Sequence, residues 1–347
     1  MLITTKAYAR AGLIGNPSDG YFGKTISFII RNYWAEVTLF ESPELTITPN
    51  ERDHSIFSGI DALAADVRQF GYYGGIRLLK ASIKRFYDHC QKQGLPLHGR
   101  NFTIRYSSNI PPQVGMAGSS AIITACWRAL MAFYQVEIPK HLLPSLVLSV
   151  ENEELGIPAG LQDRVIQSYE GLVFMDFNRA SIEKLGHGIY EELDPATLPN
   201  VFVAFTTRLS EGTEVFHNDI RGRWKRGDRE VVSAMYQWAN LAQRVRDMLV
   251  KQQGHLIGPL LNENFDLRRR LYQLSPGNIA MVETARDCGA SAKFTGSGGA
   301  IVGTYEDQAM FDRLQSALAQ QDVLVIKPQI LPLSAADPSP AVSLASA

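Results

Sequence analysis

The sequence is short of several things. It has three cysteines, Cys90, Cys126 and Cys288, far apart and in no CxxC spacing. That excludes a disulfide framework or a zinc ribbon and suits a reducing compartment. The seven histidines form no HExxH or comparable ligand set, and no GxSxG elbow is present, so metal-hydrolase and serine-hydrolase chemistry lack their signatures. No apolar run approaches a membrane span, and the N-terminus MLITTKAYARAGLIG lacks the charged-then-apolar order of a signal peptide. Charge of one sign is missing too: 34 Lys+Arg against 35 Asp+Glu leave a net charge of -1, which gives no global electrostatic case for nucleic acid or an anionic membrane as partner. The expected compartment is the cytoplasm. Oligomeric state is unreadable from the sequence.

What is present is a globular composition, 45% hydrophobic and 20% charged over 347 residues, enough for about two domains. The most informative stretch is NIPPQVGMAGSSAIITACWRALMAFY, residues 109–134. A Pro-punctuated turn leads into a Gly/Ser loop in which Gly115 and Gly118 admit close backbone approach, and Ser119 and Ser120 are suited to capping a helix. Ile122, Ala125, Cys126, Ala129, Leu130 and Phe133 then recur at helical spacing. Free N–H groups at the start of a buried helix suit an anion such as a phosphate chain.

Two other loops are rich in glycine. GNPSDGYFGKT, residues 15–25, ends in Gly-Lys-Thr but has Ser18 where a P-loop needs its first glycine, so the P-loop is rejected. Asn16, Ser18 and Asp19 there can offer hydrogen bonds to a polyol, and turn formation explains the same residue types. KFTGSGGAIVG places Gly296, Gly298 and Gly299 between two strands, where a hairpin turn is the simplest reading and a dinucleotide fingerprint fails. Strands are expected over 3–13, 26–40, 101–106 and 172–177, and helices over 59–93 and 143–155, the latter carrying Glu151, Glu153 and Glu154. Asp163 falls at the start of a further helix, where the helix dipole also favours a carboxylate. From residue 201 onward the order is βαββαβ with extra helices, a ferredoxin-like arrangement. A boundary near 200 gives domains 1–200 and 201–333, and the low-complexity tail 334–347 is expected to be disordered.

Taken in order, ARAGLIGNPSDGYFG, PPQVGMAGSSA and KFTGSGGA resemble the three-motif layout of the GHMP small-molecule kinases, over residues 7 to about 330. Within that superfamily NPSDGYFGKTIS, GYYGGIRLLKA, GIPAGLQDRV, NFDLRRR and AKFTGSGGA are similar to the glucuronokinases, which phosphorylate D-glucuronate at its anomeric oxygen. The resemblance implies an α+β fold with two domains, an N-terminal ribosomal-protein-like α/β domain and a C-terminal ferredoxin-like one. It also implies ATP and Mg²⁺ as cofactors. ATP phosphates would lie on Pro112, Gly115, Met116, Ala117, Gly118, Ser119, Ser120 and Ala121, with Gly296, Gly298 and Gly299 packed nearby. Ser120, or alternatively Ser119, would approach Mg²⁺. Glu151, twelve residues before Asp163, is the preferred metal ligand, with Glu153 and Glu154 as alternatives. Asp163 matches the catalytic aspartate and Arg10 its basic partner. The loop GMAGSSA is one residue longer than the common form, which leaves the serine register open.

Phosphoryl transfer asks a protein for alignment and charge neutralisation, and an anomeric hydroxyl is acidic enough for Asp163 to orient it or accept its proton. Arg10 would keep that aspartate ionised. Asn16, Ser18, Asp19, Tyr21 and Gly160 are the sugar-side candidates. A uronate carboxylate calls for a guanidinium, and Arg77, Arg164 and the run Arg268, Arg269 and Arg270 are available. Tyr72 and Tyr73 could stack on a ring or pack in the core. The competing readings are a kinase for another sugar, such as galacturonate, arabinose, galactose or a heptose, and a regulator that kept the fold and lost the chemistry.

Overall fold

The computed structural model describes residues 1–49, 53, 59, 60, 74–207, 220–331 and 341–343. The chain opens with two long antiparallel strands, β1 (Leu2–Ile14) and β2 (Lys24–Ser42), joined by the loop that holds Asn16 and Asp19. Their apolar, β-branched content suits burial against helices. Because β2 has 19 residues, its two ends pair with different strands: Lys24–Phe28 with β5 (Leu172–Asp176), and Ala35–Ser42 with β4 (Asn101–Ser108). The short β3 (Thr46–Ile47) runs parallel to β4, and β6 (Ile189–Leu193) extends the sheet beyond β5. On the outer edge of β1 lies β11 (Ala341–Ser343), antiparallel to Leu2–Thr4. The tail expected to be disordered therefore contributes a strand, and its other residues from 334 on lie outside the described ones.

Helices α1 (Gly75–Gln93) and α2 (Gly118–Tyr134) pack on each other, and α2 packs on β1 and β2. Nearly every side of α2 is buried, from Ala121 through Trp127 to Phe133, so it is a core helix with only its first turn open to a site. The short α3 (Leu143–Ser149) runs into a π-helical turn, Val150–Glu154, instead of continuing as the single expected helix 143–155. Next come α4 (Leu161–Tyr169), before β5, and α5 (Arg179–Leu185), between β5 and β6.

From Val201 to Ile326 the strands belong to a second sheet. It contains β7 (Val201–Thr206), β8 (Lys293–Phe294), β9 (Ala300–Thr304) and β10 (Val323–Ile326) in the order β10-β7-β9-β8, antiparallel at each pairing. That is the split arrangement expected from the βαββαβ order. Its helices are α6 (Ile220–Lys225), α7 (Arg229–Val250), α8 (Gly258–Leu271), α9 (Pro276–Asp287) and α10 (Gln308–Ala319). Both α7 and α8 also reach the first half, packing on β2 and β1 respectively. Among the described residues no helix is long and apolar enough to cross a membrane. Tyr72 and Tyr73 lie outside the described residues.

Candidate active site

Arg10 points from the middle of β1 into the space between the two halves and is 6% exposed. Its Nε donates to Asp163 Oδ1 at 2.6 Å, and its Nη1 donates to the Gly115 carbonyl at 2.5 Å. One guanidinium thus ties the first loop's strand, the Gly/Ser loop and the first turn of α4 together. Burial pushes the Asp163 carboxyl up, but Arg10 and Arg164 outweigh it and hold it below the ordinary carboxylate value.

From Asp163 the charges continue in a row. Arg164 Nη1 lies 3.4 Å from Asp163 Oδ2, and Arg164 Nη2 makes a short ion pair with Glu151. Glu151 Oε1 in turn accepts the Ser119 hydroxyl at 2.9 Å. The π-helical turn is what faces Glu151 inward, 2% exposed, while Glu153 and Glu154 pair with Arg85 and Lys84 nearer the surface. Ser120, the preferred metal neighbour in the sequence, has no exposure and donates to the Ala117 carbonyl at 3.2 Å within its own helix turn. Ser119 is the serine beside Glu151. The pair Ser119 and Glu151 supplies a hydroxyl and a carboxylate oxygen that could hold a hard cation. Among the described residues no group of three or more His, Cys, Asp or Glu gathers, so such an ion would need phosphate and water for the rest of its shell.

The Gly/Ser loop turns through Gly115 (φ +68°) and Ala117 (φ +64°) before α2 begins at Gly118. Gly115 has no room for a side chain, because a Cβ would come 2.7 Å from the Gly298 carbonyl. Gly299 presses on Val114 in the same way, and Gly296 faces Arg10 and the Gly115 carbonyl. The turn between β8 and β9 is therefore a brace for the Gly/Ser loop, as well as a hairpin connection. Met116 and Ala121 are buried, so only their backbone can serve a ligand, and Pro112 stands exposed in the preceding turn.

On the other side of Asp163 sits Asp19. Gly160 caps α4, and a Cβ there would meet Asp19 Oδ2 at 2.7 Å, so the glycine makes room for this carboxylate. Burial, then Asp163, push the Asp19 carboxyl up to about 6, with Arg10 opposing. Tyr21 lies edge-on to Trp224, with ring centroids 5.3 Å apart, and near Tyr272, Arg221 and Arg268. Ser18, a sugar-side candidate in the sequence, is fully buried and braces its own turn, donating to the Lys24 carbonyl at 3.0 Å and accepting from the Lys24 amide at 3.1 Å, so its one donor is already used.

The arginine candidates separate clearly. Arg77 is exposed and bonds the Leu155 carbonyl at 3.3 Å, and Arg269 pairs with Glu283 on the surface, with Arg270 exposed beside it. Arg164 is committed to Glu151. Arg268 alone of its run turns inward: 7% exposed, it donates from Nη1 to the Gly296 carbonyl at 2.7 Å and stacks on Tyr272 and Phe294. Its Nε is buried without a partner among the described residues, and burial pushes its pKa down.

Three contributors were not singled out from the sequence. Lys293 and Asn264 reach from the second half to the first loop: Lys293 Nζ donates to Gly12 O and Asn16 Oδ1, while Asn264 accepts from the Gly15 amide and donates to the Asn16 carbonyl. Gln162 covers Gly12 from α4. Each lies in or next to a segment already noted for its resemblance, AKFTGSGGA, NFDLRRR and GIPAGLQDRV, which was the available signal.

Residues 77–171 match the GHMP kinases N terminal domain, and residues 246–323 match the GHMP kinases C terminal domain. Glucuronokinase 1 of Arabidopsis thaliana is 45% identical over 306 residues, covering 86% of this chain and 84% of that protein. Probable glucuronokinase 2 of the same plant is 45% identical over 304 residues, 86% of this chain and 82% of that one. Among solved structures, galactokinase of Lactococcus lactis complexed with galactose superposes with a TM-score of 0.76 at 16% identity, covering 95% of this chain and 93% of that one. With a kinase-type pair of domains, the three loops gathered around Arg10 and Asp163, and relatives this similar over most of their length, the chain belongs to the GHMP kinases.

Proposed function

We propose that the protein transfers the γ-phosphate of ATP to the anomeric hydroxyl of D-glucuronate, giving the 1-phosphate and ADP. The observation that carries the sugar assignment is Arg268, a buried guanidinium with an unpaired Nε and no carboxylate in ion-pair reach among the described residues, in a chain 45% identical to glucuronokinases. A buried cation without a protein counter-charge favours an anionic ligand, and the planar fork of arginine suits a carboxylate.

In this reading the amides of Gly115 to Ser119 and the N-terminus of α2 receive the phosphates. Asp163 accepts the proton of the anomeric hydroxyl as its oxygen bonds to the γ-phosphorus and the bond to the β-phosphate oxygen breaks. Arg10 keeps Asp163 ionised for that step, and the Gly115 carbonyl on Nη1 fixes the guanidinium against the phosphate loop. Ser119 and Glu151 would hold Mg²⁺, which when bound neutralises phosphate charge. Asp19 and Asn16 take sugar hydroxyls, and Arg268 takes the carboxylate.

The test is ADP release with ATP and Mg²⁺ against free uronic acids and neutral sugars, with phosphorus NMR of the product. Turnover on glucuronate giving the 1-phosphate is expected, and Arg268→Met should raise the KM for glucuronate while leaving that for ATP. Preference for a neutral sugar, insensitive to Arg268→Met, would overturn the substrate assignment.

A further inference from the structure

Lys293 is 1% exposed, yet the chemistry just described does not use it. It stands on β8 of the second sheet, and its Nζ crosses to the first half, 2.5 Å from the Gly12 carbonyl and 2.5 Å from Asn16 Oδ1. The Gly12 carbonyl can only accept, so the lysine nitrogen must donate to it. A lysine donates to the amide as well, and the end of the amide that meets it is the oxygen. Burial, reinforced by Arg268 and Arg10 and opposed by Asp19, pushes the Lys293 pKa well below the usual lysine range. Even an uncharged amine has two N–H groups, enough for both oxygens.

The consequence falls on Asn16, itself 4% exposed. Its backbone carbonyl accepts from Asn264 at 3.2 Å and its side-chain oxygen is taken by Lys293. What is left is Asn16 Nδ2, buried and without a partner among the described residues. The amide sits beside Gly12, where an added Cβ would come 3.4 Å from Asn16 Cγ and 2.7 Å from Gln162 Nε2, and Gln162 precedes Asp163. A buried amide N–H pair with nothing to donate to costs free energy until an acceptor arrives. A free asparagine amide could turn either end toward a ligand; here only the donor end is left.

We propose that Lys293 is a positioning residue for substrate, holding the Asn16 amide so that its Nδ2 donates to an oxygen of the sugar. The inference rests on the sugar-kinase reading and adds to it a residue, supplied by the second domain, that sets the polarity of the hydrogen bond.

The experiment compares KM for glucuronate, KM for ATP and kcat in the wild type, Asn16→Asp, Asn16→Ala, Lys293→Met and the double variant Asn16→Ala/Lys293→Met, with melting temperatures alongside. Asn16→Asp is nearly isosteric and keeps an oxygen for Lys293 while deleting the donor, so it should raise the sugar KM about 10- to 100-fold, the scale of one lost buried hydrogen bond. Lys293→Met should do the same with kcat and the ATP KM changing less than about threefold, and the double variant should be no worse than about twofold beyond Asn16→Ala, because the lysine acts through the asparagine. An unchanged sugar KM in Asn16→Asp overturns the proposal, whether or not Lys293→Met folds. So does a Lys293→Met enzyme in which kcat and both KM values deteriorate together, or in which the two losses add. A wild type that phosphorylates no sugar would instead overturn the kinase reading on which this rests.

Discussion

Replacing Arg10 with methionine would keep an unbranched apolar stem in place of the arginine's and remove the cation that faces Asp163 at 2.6 Å. Both partners are shielded, with side chains 7% and 20% exposed. Breaking a buried pair by deleting one partner costs roughly 3–5 kcal/mol, and Arg164, 3.4 Å away but already bound to Glu151, offsets only part of it, so about 3 kcal/mol is expected. Losing that arginine should let the Asp163 carboxyl rise back toward its ordinary value. Because the folded-state value of Asp163 lies below its ordinary value, its contribution to stability is present above the ordinary carboxylate value and is lost as pH falls through the folded one. The melting-temperature gap between wild type and Arg10→Met should therefore be widest near neutrality and close under acid. In an Asp19→Asn background, where Asp19 no longer titrates, the acid limb of kcat/KM should move to higher pH on adding Arg10→Met. A gap in melting temperature that is flat with pH, together with an unmoved limb, would refute the view that Arg10 acts by holding Asp163 ionised.

Asp163→Asn should lower turnover by about 10² to 10⁴ with the ATP KM little changed, measured by steady-state ADP release. Asp19, pushed up to about 6, binds a proton in the folded state that the unfolded chain has already released between about pH 4 and 6, so it opposes folding above that window. Asp19→Asn should accordingly raise the melting temperature at pH 7.5, by the equivalent of about 2–3 kcal/mol, and leave it unchanged near pH 3.5. Ser119→Ala should raise the Mg²⁺ concentration for half-maximal rate about tenfold, whereas Ser120→Ala, losing one helix-turn bond, should shift it less than about threefold; the reverse ranking would restore the serine expected from the sequence. Gly115→Ala would force a Cβ within 2.7 Å of the Gly298 carbonyl at a left-handed φ, and should raise the ATP KM and cost about 1–3 kcal/mol on urea denaturation.

The pairing of Arg10 with Asp163, 153 residues apart, was legible only through the order of the three loops; no periodicity brings β1 to α4. Long strands and the helix 118–134 were legible because apolar repeats set them. The orientation of Ser119 and Ser120 was not, because it is set by the backbone of the Gly/Ser loop, where Gly115 and Ala117 are left-handed. Ser18 looked like a ligand because a turn brace and a sugar contact use the same chemistry. Lys293 and Asn264 stayed hidden for a related reason: a lysine on a two-residue strand or an asparagine on a helix normally reads as solvent-facing, and here both are buried where the second half meets the first loop. The Val150–Glu154 bulge adds a residue to a helical turn and so turns Glu151 inward, a shift that helical spacing alone does not forecast.

In the row Ser119, Glu151, Arg164, Asp163, Arg10, donors and acceptors alternate without a gap. Arg164 is its pivot, and its grip on Glu151 is what keeps it at arm's length from Asp163. Neutralise Glu151 and that guanidinium is released toward the aspartate, competing with Arg10 for the same carboxylate. A lesion made at Glu151 would then be felt at Asp163, so in the proposed mechanism a Glu151 variant should carry the kinetic signature of a disturbed base as well as a weakened cation site, and an engineer seeking to retune the metal would have to move Arg164 as well.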